Sequence, residues 1–254
     1  MATLRLMTLN IAHGRGLSFY QGFHTSGGIR KNLSRIAQLI ESAQPDIVAL
    51  QEVDAASHWN HKIPLLDLIR RETGFPFYHV GVHNNRTGTK PLAYGNALLS
   101  RFPLEQVETH PFGRKSLGEK GFLAALVELP GRPLPLINLH LDYKSRQTRR
   151  DQANRILRFI EYKAFAELPI LCGDFNARKN ADKDAVAHLV EQLRPAGNYQ
   201  VFPDGAKTWP AFLPALGLDF VFLPPYCEVR EARVLPALVS DHRPVQVEFS
   251  LQDS

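Results

Sequence analysis

An α/β domain with both parallel and antiparallel strand pairs is the fold class the sequence predicts, on three observations. Short apolar runs bounded by turn residues recur along the chain, segments with helical spacing separate some of them, and direct turns separate others.

The first run, "LRLMTLN" (4–10), precedes a segment in which Ile29, Leu33, Ile36 and Ile40 recur at helical intervals. "DIVALQE" (46–52), "FYHVGV" (77–82), "YGNALLS" (94–100), "FLAALVEL" (122–129) and "LPLINLHLD" (134–142) are each short enough for a strand. A second helical stripe carries Ala153, Ile156, Leu157, Ile160 and Ala164; "LPILCGD" (168–174) follows. The third stripe is Val186, Leu189, Val190 and Leu193, before "LDFVFL" (218–223) and "PVQVEFSL" (244–251). These stripes read as core faces, and the number of runs predicts two sheets or one very wide one. No internal repeat, low-complexity tract or Pro/Gly/Ser linker divides the 254 residues, so residues 1–254 are read as one domain.

With 44% hydrophobic and 22% charged residues, a sizeable core is within reach and disorder is disfavoured. No run approaches the roughly 20 apolar residues of a membrane span. "MATLRLMTLN" lacks the apolar segment of a signal peptide, so the mature chain is expected to begin where written. Two cysteines, Cys172 and Cys227, are too few for a disulfide framework or a cysteine-rich zinc site, and a cytoplasmic location is expected. The net charge of +5 and pI near 9.3 favour anionic partners such as phosphates, nucleic acid or acidic lipid surfaces. They fit a mildly basic soluble protein equally well.

Polar residues gather where strands end: Asn10, Gln51 and Glu52, His140, Asp174 and Asn176, Asp219, and the pair Asp241–His242. Singly, each has a plain reading. Asn10 can start a turn, Glu52 can be solvated, His140 can be a satisfied histidine near the core, and Asp174 with Asn176 can form a turn after Gly173. Asp241–His242 before Arg243–Pro244 also suits a turn. Asp219 sits inside an apolar run, and a buried carboxylate there requires a hydrogen bond or a charge partner. Together they point to convergence, because open α/β sheets place binding crevices beyond strand ends. Carboxylate and carboxamide oxygens are hard ligands suited to Mg²⁺ or Mn²⁺, with Glu52 supported by Asn10 and Asp241. No H-E-x-x-H pattern is present. A histidine beside an acid supplies proton transfer or a cation facing a phosphoryl oxygen, and phosphate-ester hydrolysis uses this combination.

At these residues the sequence resembles the endonuclease/exonuclease/phosphatase superfamily. The matching stretches are "TLNIAHG", "PDIVALQEVD", "YGNALLSRFP", "NLHLD", "GDFNA", "LDFVF" and "SDHRPV", in the family's order from residue 8 to residue 245. The resemblance implies a four-layer α/β/β/α sandwich, two mixed sheets packed face to face with helices outside, and an active site at one end of the sheets. It also implies that Asn10 and Glu52 hold the metal with Asp241 beside it. Asp174 would deprotonate the attacking water, and Asn176 would contact the phosphate. His242, oriented by Asp219, would bind the phosphoryl oxygen. His140 would approach the phosphate or the leaving oxygen, at a place where some members carry tyrosine.

The resemblance does not name the substrate, because loops around a common site set it. Segment 16–28, with Phe19, Tyr20, Phe23 and His24, reads as a lid or substrate wall, or as a loop packed on its own domain. Segment 83–95, with Arg86 and Lys90, reads as a phosphate-meeting loop or a solvated hairpin. The basic run "KSRQTRR" (144–150) lines a polyanion's approach or is a solvated helix start, and Trp209 walls the site or only packs. Three functions stand: a Mg²⁺-dependent phosphoesterase of a small or lipid-derived ester, a nuclease, and a non-catalytic phosphate-binding module. The last is disfavoured because Glu52, Asp174, Asn176, Asp219 and His242 are all kept. A monomer whose partner is a phosphate-ester substrate is expected.

Overall fold

The computed structural model describes residues 3–18, 20, 24–113, 119–179, 181 and 183–252. Phe19 and Phe23, read above as part of a lid or wall, lie outside them. Among the described residues there are twelve strands and four α-helices. In chain order they are β1 (Thr3–Asn10), α1 (Ser26–Ala43), β2 (Ile47–Asp54), α2 (Leu65–Thr73), β3 (Phe77–Arg86), β4 (Leu92–Ser100), β5 (Leu104–Pro111) and β6 (Gly121–Leu129). Then come β7 (Arg132–His140), α3 (Arg146–Lys163), β8 (Ile170–Asp174), α4 (Ala185–Leu193), β9 (Gln200–Phe202), β10 (Asp219–Leu223), β11 (Cys227–Val234) and β12 (Val245–Leu251).

The strands form two six-stranded sheets, ordered β11-β12-β1-β2-β4-β3 and β5-β6-β7-β8-β10-β9. Each has one parallel pair at its centre, β1 with β2 and β7 with β8, and antiparallel pairs outward from there. Each parallel pair is joined by a helix, α1 or α3, because parallel neighbours cannot be linked by a tight turn. Strand directions therefore follow the same sequence across both sheets. The amino-acid sequence shows no repeat, yet the structure repeats one plan, since direction and alternation constrain polarity without fixing side-chain identity.

One apolar layer fills the space between the sheets, with Leu6, Ala49 and Leu98 from one meeting Leu123, Leu136 and Val221 from the other. A second layer packs Ile29, Leu33, Ile36 and Ile40 of α1 and Ile69 of α2 on the first sheet. A third packs Ala153 and Ile156 of α3 and Val186, Leu189 and Leu193 of α4 on the second. The result is the α/β/β/α sandwich. Side chains such as Phe220 and Phe249, buried in these layers, each stabilise by about 1.5–3 kcal/mol. Helix starts are capped locally: Thr25 Oγ1 accepts from Gly28 N (3.1 Å), and Ser145 Oγ accepts from Thr148 N (3.2 Å).

The nine apolar runs correspond to β1–β4, β6–β8, β10 and β12, whereas β5, β9 and β11 carry no comparable run. All three are edge strands. An edge strand is bonded on one side only, and charged residues there discourage pairing with other chains, so "LEQVETHP" and "CEVREARV" lack the apolar signal. The helix α2 escapes a reading by periodicity: it is as short as α4, but its buried face, Leu65, Leu66, Ile69 and Thr73, ends in a polar residue and so carries a weaker apolar stripe than Val186, Leu189, Val190 and Leu193.

Candidate active site

Asn10 ends β1, His140 ends β7, and Asp174 ends β8, so three carboxy-terminal strand ends point to one rim. The antiparallel strands begin at that rim: Asp219 opens β10, His242 lies just before β12, and Lys120 just before β6. Asp174 has His140 as its register partner on one side and Asp219 on the other. Gly173 makes this alignment possible. Its φ is +137°, and a Cβ there would lie 1.9 Å from the Leu139 carbonyl oxygen, so the strands close up only around a glycine.

Glu52 reaches the rim through a bulge. The β2–β4 register shifts between Leu50 and Val53, and Glu52 adopts φ 55°, an uncommon conformation for a residue with a Cβ. The extra residue returns Val53 to the helix-facing layer while Gln51 points between the sheets, donating to Thr8 Oγ1 (3.0 Å) and Asn138 Oδ1 (2.7 Å).

A cleft of about 830 Å³ opens here, lined by Asn10, Glu52, His140, Asp174, Asn176, Asp241 and His242 among others. Asp219 is fully buried and reaches the cleft through His242, whose Nδ1 lies 2.9 Å from Asp219 Oδ2. Of the nine polar strand-end residues named from the sequence, all but Gln51, which points between the sheets, thus meet around one cavity.

Asp174 is 1% exposed. Its Oδ1 accepts from Asn176 N (2.9 Å) and its Oδ2 from Asn10 Nδ2 (3.0 Å). His140 Nε2 and His242 Nε2 stand 3.4 and 3.8 Å from Oδ2. Burial, reinforced by Asp219, pushes its pKa up to about 7 against the opposing influence of His242, Asn10 and Lys120. For His242, burial disfavours the imidazolium, but Asp219, Asp174 and Asp241 outweigh it and push the pKa up to about 10. His140 is shifted the other way: burial and Lys120 hold it well below the usual histidine range, so it is neutral. Lys120 Nζ, which can only donate, lies 3.4 Å from His140 Nδ1, so the ring proton sits on Nε2, facing Asp174.

Basic side chains not singled out from the sequence surround Glu52. Lys120 Nζ donates to its Oε1 (3.1 Å), and Arg15 and His13 each approach Oε2 at 3.5 Å. Arg15 also donates to Asp241 Oδ2 (2.8 Å), bridging the two acids. Burial would raise the Glu52 pKa, but the positive charge beside it, Lys120 foremost and Arg15 with it, holds it well below the usual carboxylate range. His13 is set by Asp54, whose Oδ2 lies 2.9 Å from Nδ1 and whose Oδ1 accepts from Trp59 Nε1 (3.0 Å).

Asn176 has φ 48° and donates through Nδ2 to the Leu141 carbonyl (3.0 Å), beside the cavity. A buried trio, Asp174, Asp219 and His242, presents ligand atoms within 4.8 Å of one another. Its imidazole Nδ1 is committed to Asp219, which leaves only Nε2 to face a ligand. Glu52 and Asp241 fit a divalent cation better: they offer hard oxygens in a place that already gathers positive charge.

The other sequence candidates divide. Trp209, Lys144, Arg146 and Arg149 line the cleft, but Arg149 is held by Asp184 through bonds of 2.8 and 2.6 Å and so serves the α3–α4 junction. Arg86 and Lys90 are exposed, Arg86 ending β3 and Lys90 in the turn before β4, as a solvated hairpin would place them. Among the described residues of 16–28, none lines the cleft.

The four-layer sandwich and the acids and histidines at its strand ends fit the metal-dependent hydrolases of phosphate ester bonds, and the family match places this chain in that class. The model of the Endonuclease/Exonuclease/phosphatase family matches residues 7–242, and the chain belongs to that family. Among solved structures it is similar to an endonuclease/exonuclease/phosphatase family protein of Bacteroides thetaiotaomicron (16% identity over 100% of this chain and 99% of that one, TM-score 0.74). It is also similar to the mannosyl-6-phosphatase Bt3783 of Bacteroides thetaiotaomicron VPI-5482 (16% identity, 98% of this chain and 100% of that one, TM-score 0.72). The human Nocturnin catalytic domain with a bound sulfate anion aligns at 19% identity over 98% of this chain and 94% of that one, TM-score 0.69. No curated protein matches the chain. At these identities the likeness shows the fold. No helix among the described residues is long and apolar enough to cross a membrane.

Proposed function

We propose that the protein is a Mg²⁺-dependent phosphoesterase that hydrolyses a phosphodiester or phosphomonoester by in-line attack of an activated water. The observation that carries this reading is Asp174, whose two oxygens are fixed by Asn10 and Asn176 and whose neighbours are one neutral and one charged histidine. Asp174 takes the proton of the attacking water. His242, kept cationic by Asp219, binds a phosphoryl oxygen, and His140 offers its Nε2 proton to the phosphate or the leaving oxygen. Asn176 contacts the phosphate. Glu52, Asn10 and Asp241 hold Mg²⁺, with Mn²⁺ as a substitute. When bound, the metal supplies Lewis-acid stabilisation of charge on the ester oxygens.

Residues 1–254 are read as one domain acting as a monomer in the cytoplasm, a location supported by two buried free cysteines. The phosphatase named for one structural neighbour and the sulfate bound in another support a phosphate-sized anion as the group recognised. A nuclease is the second reading, favoured by exposed Arg178 and Lys144 at the cleft's edge. The test is a panel of a chromogenic phosphodiester, a sugar phosphate, plasmid DNA and phospholipid, assayed with Mg²⁺ or Mn²⁺ and with EDTA. Turnover of a non-nucleic ester that EDTA abolishes is expected; metal-dependent plasmid nicking alone would select the nuclease, and no turnover of any member would reject both.

A pH profile follows from the two opposed shifts. Asp174 is an active base above its pKa of about 7, and His242 is a cation below its pKa of about 10. The profile of kcat/KM therefore rises through the first value and falls through the second. Asp219→Asn removes the leading cause of the raised His242 value, so the descending limb moves to lower pH; a limb that stays in place would take His242 out of the assignment.

A further inference from the structure

Three stretches of the chain contain no Asp or Glu: residues 11–40, 205–218 and 232–240. They are far apart in sequence and meet at one side of the cleft. Asn32 Nδ2 donates to both the Gly14 carbonyl (3.2 Å) and the Val239 carbonyl (2.9 Å), and Arg35 donates to the Leu238 carbonyl (3.2 Å). Ala211 N donates to the Asp241 carbonyl (2.8 Å), and Arg243 Nε donates to the Ala211 carbonyl (2.7 Å). Arg15 from the first stretch and Trp209 and Leu216 from the second line the cleft itself, and Asp241 follows directly on the third.

This rim also collects exposed apolar side chains. Of the nine large hydrophobic residues exposed among the described ones, five lie in these stretches: Leu17 (37%), Tyr20 (71%), Phe212 (55%), Leu213 (71%) and Leu238 (40%). Beside them stand the exposed cations Arg30, Lys31, Arg35 and Lys207, none with an acidic partner among the described residues. Aliphatic tips among cations match the boundary between anionic head groups and acyl chains; the stretches themselves carry no acid, and Glu72 of α2, which accepts from Ser34 Oγ (2.8 Å), reaches α1 from outside them. A nucleic-acid backbone would reward the cations but give Leu17, Leu213 and Leu238 nothing to leave water for.

We propose that this rim docks on an anionic lipid bilayer and so brings the cleft to phosphate esters carried on lipid head groups; the second half rests on the phosphoesterase reading. Docking is tested with the full chain in EDTA, by sedimentation with vesicles of phosphatidylcholine alone or mixed equally with phosphatidylglycerol. Binding to the mixed vesicles, weakening as salt rises, is expected. The double variant Phe212→Ser, Leu213→Ser lowers that partitioning at least about tenfold, and Leu238→Ser lowers it from a separate segment. Turnover of a soluble chromogenic ester with Mg²⁺ is unchanged in these variants, which also shows that they fold. Wild-type protein left in the supernatant overturns the proposal, as do variants that partition like wild type, or retention on plasmid DNA in preference to anionic vesicles. Docking is read without turnover, so a protein that binds vesicles but hydrolyses nothing refutes the phosphoesterase reading alone.

Discussion

Asp174→Asn lowers kcat by about 10³-fold with the fold retained, an effect in the range of a lost general base. The substitution removes the proton acceptor and also one of the two oxygens that now receive hydrogen bonds. Asp174 accepts from Asn176 N and from Asn10 Nδ2, so a carboxamide must turn its NH₂ toward one of those donors. Below pH 7 wild-type Asp174 is itself protonated, so the gap between wild type and variant narrows as pH falls. The measurement is kcat at saturating substrate and Mg²⁺, with circular dichroism as the check on folding. A variant as fast as wild type at pH 8 would remove Asp174 from the mechanism.

Glu52→Gln is expected to raise the Mg²⁺ concentration for half-maximal rate by on the order of 100-fold. It also lowers thermal stability, because Lys120 and Arg15 lose the carboxylate that neutralises them in a largely enclosed place. The two effects separate by experiment: a Mg²⁺ titration of activity reads the first, and a melting curve in EDTA reads the second. Loss of stability with an unchanged Mg²⁺ requirement would reduce Glu52 to a counterion and move the metal elsewhere.

The core helices and central strands were legible because their residues alternate or recur against a buried face, as Ile29, Leu33, Ile36 and Ile40 do. The acidic half of the site was legible for a related reason. Asp174, Asp219 and Glu52 interrupt or end apolar runs, and polar groups in such places demand partners. The partners themselves were not visible. Lys120 finds Glu52 from 68 residues away, and Arg15 finds Asp241 from 226 away, so only the folded chain reveals their charge balance. One signal was available, since Lys120 stands just before an apolar run much as Asp219 stands at the start of another. His13 lay within a quoted stretch, but its anchoring by Asp54 depends on the bend after β1 and on β2.

The first sheet is completed by β11 and β12, which lie at the far end of the chain from β1, its central strand. A ribosome can deliver the whole second sheet while the first still lacks a third of its strands. Asp241 and His242 lie just before β12, the strand that pairs with β1, so the nascent polypeptide carries Asp174, the acid proposed to activate water, before it carries His242, the cation proposed to bind the phosphate. On the proposed roles hydrolytic competence would arrive in a single late event, and a chain stopped just before residue 241 would hold most of the architecture while lacking Asp241, His242 and β12.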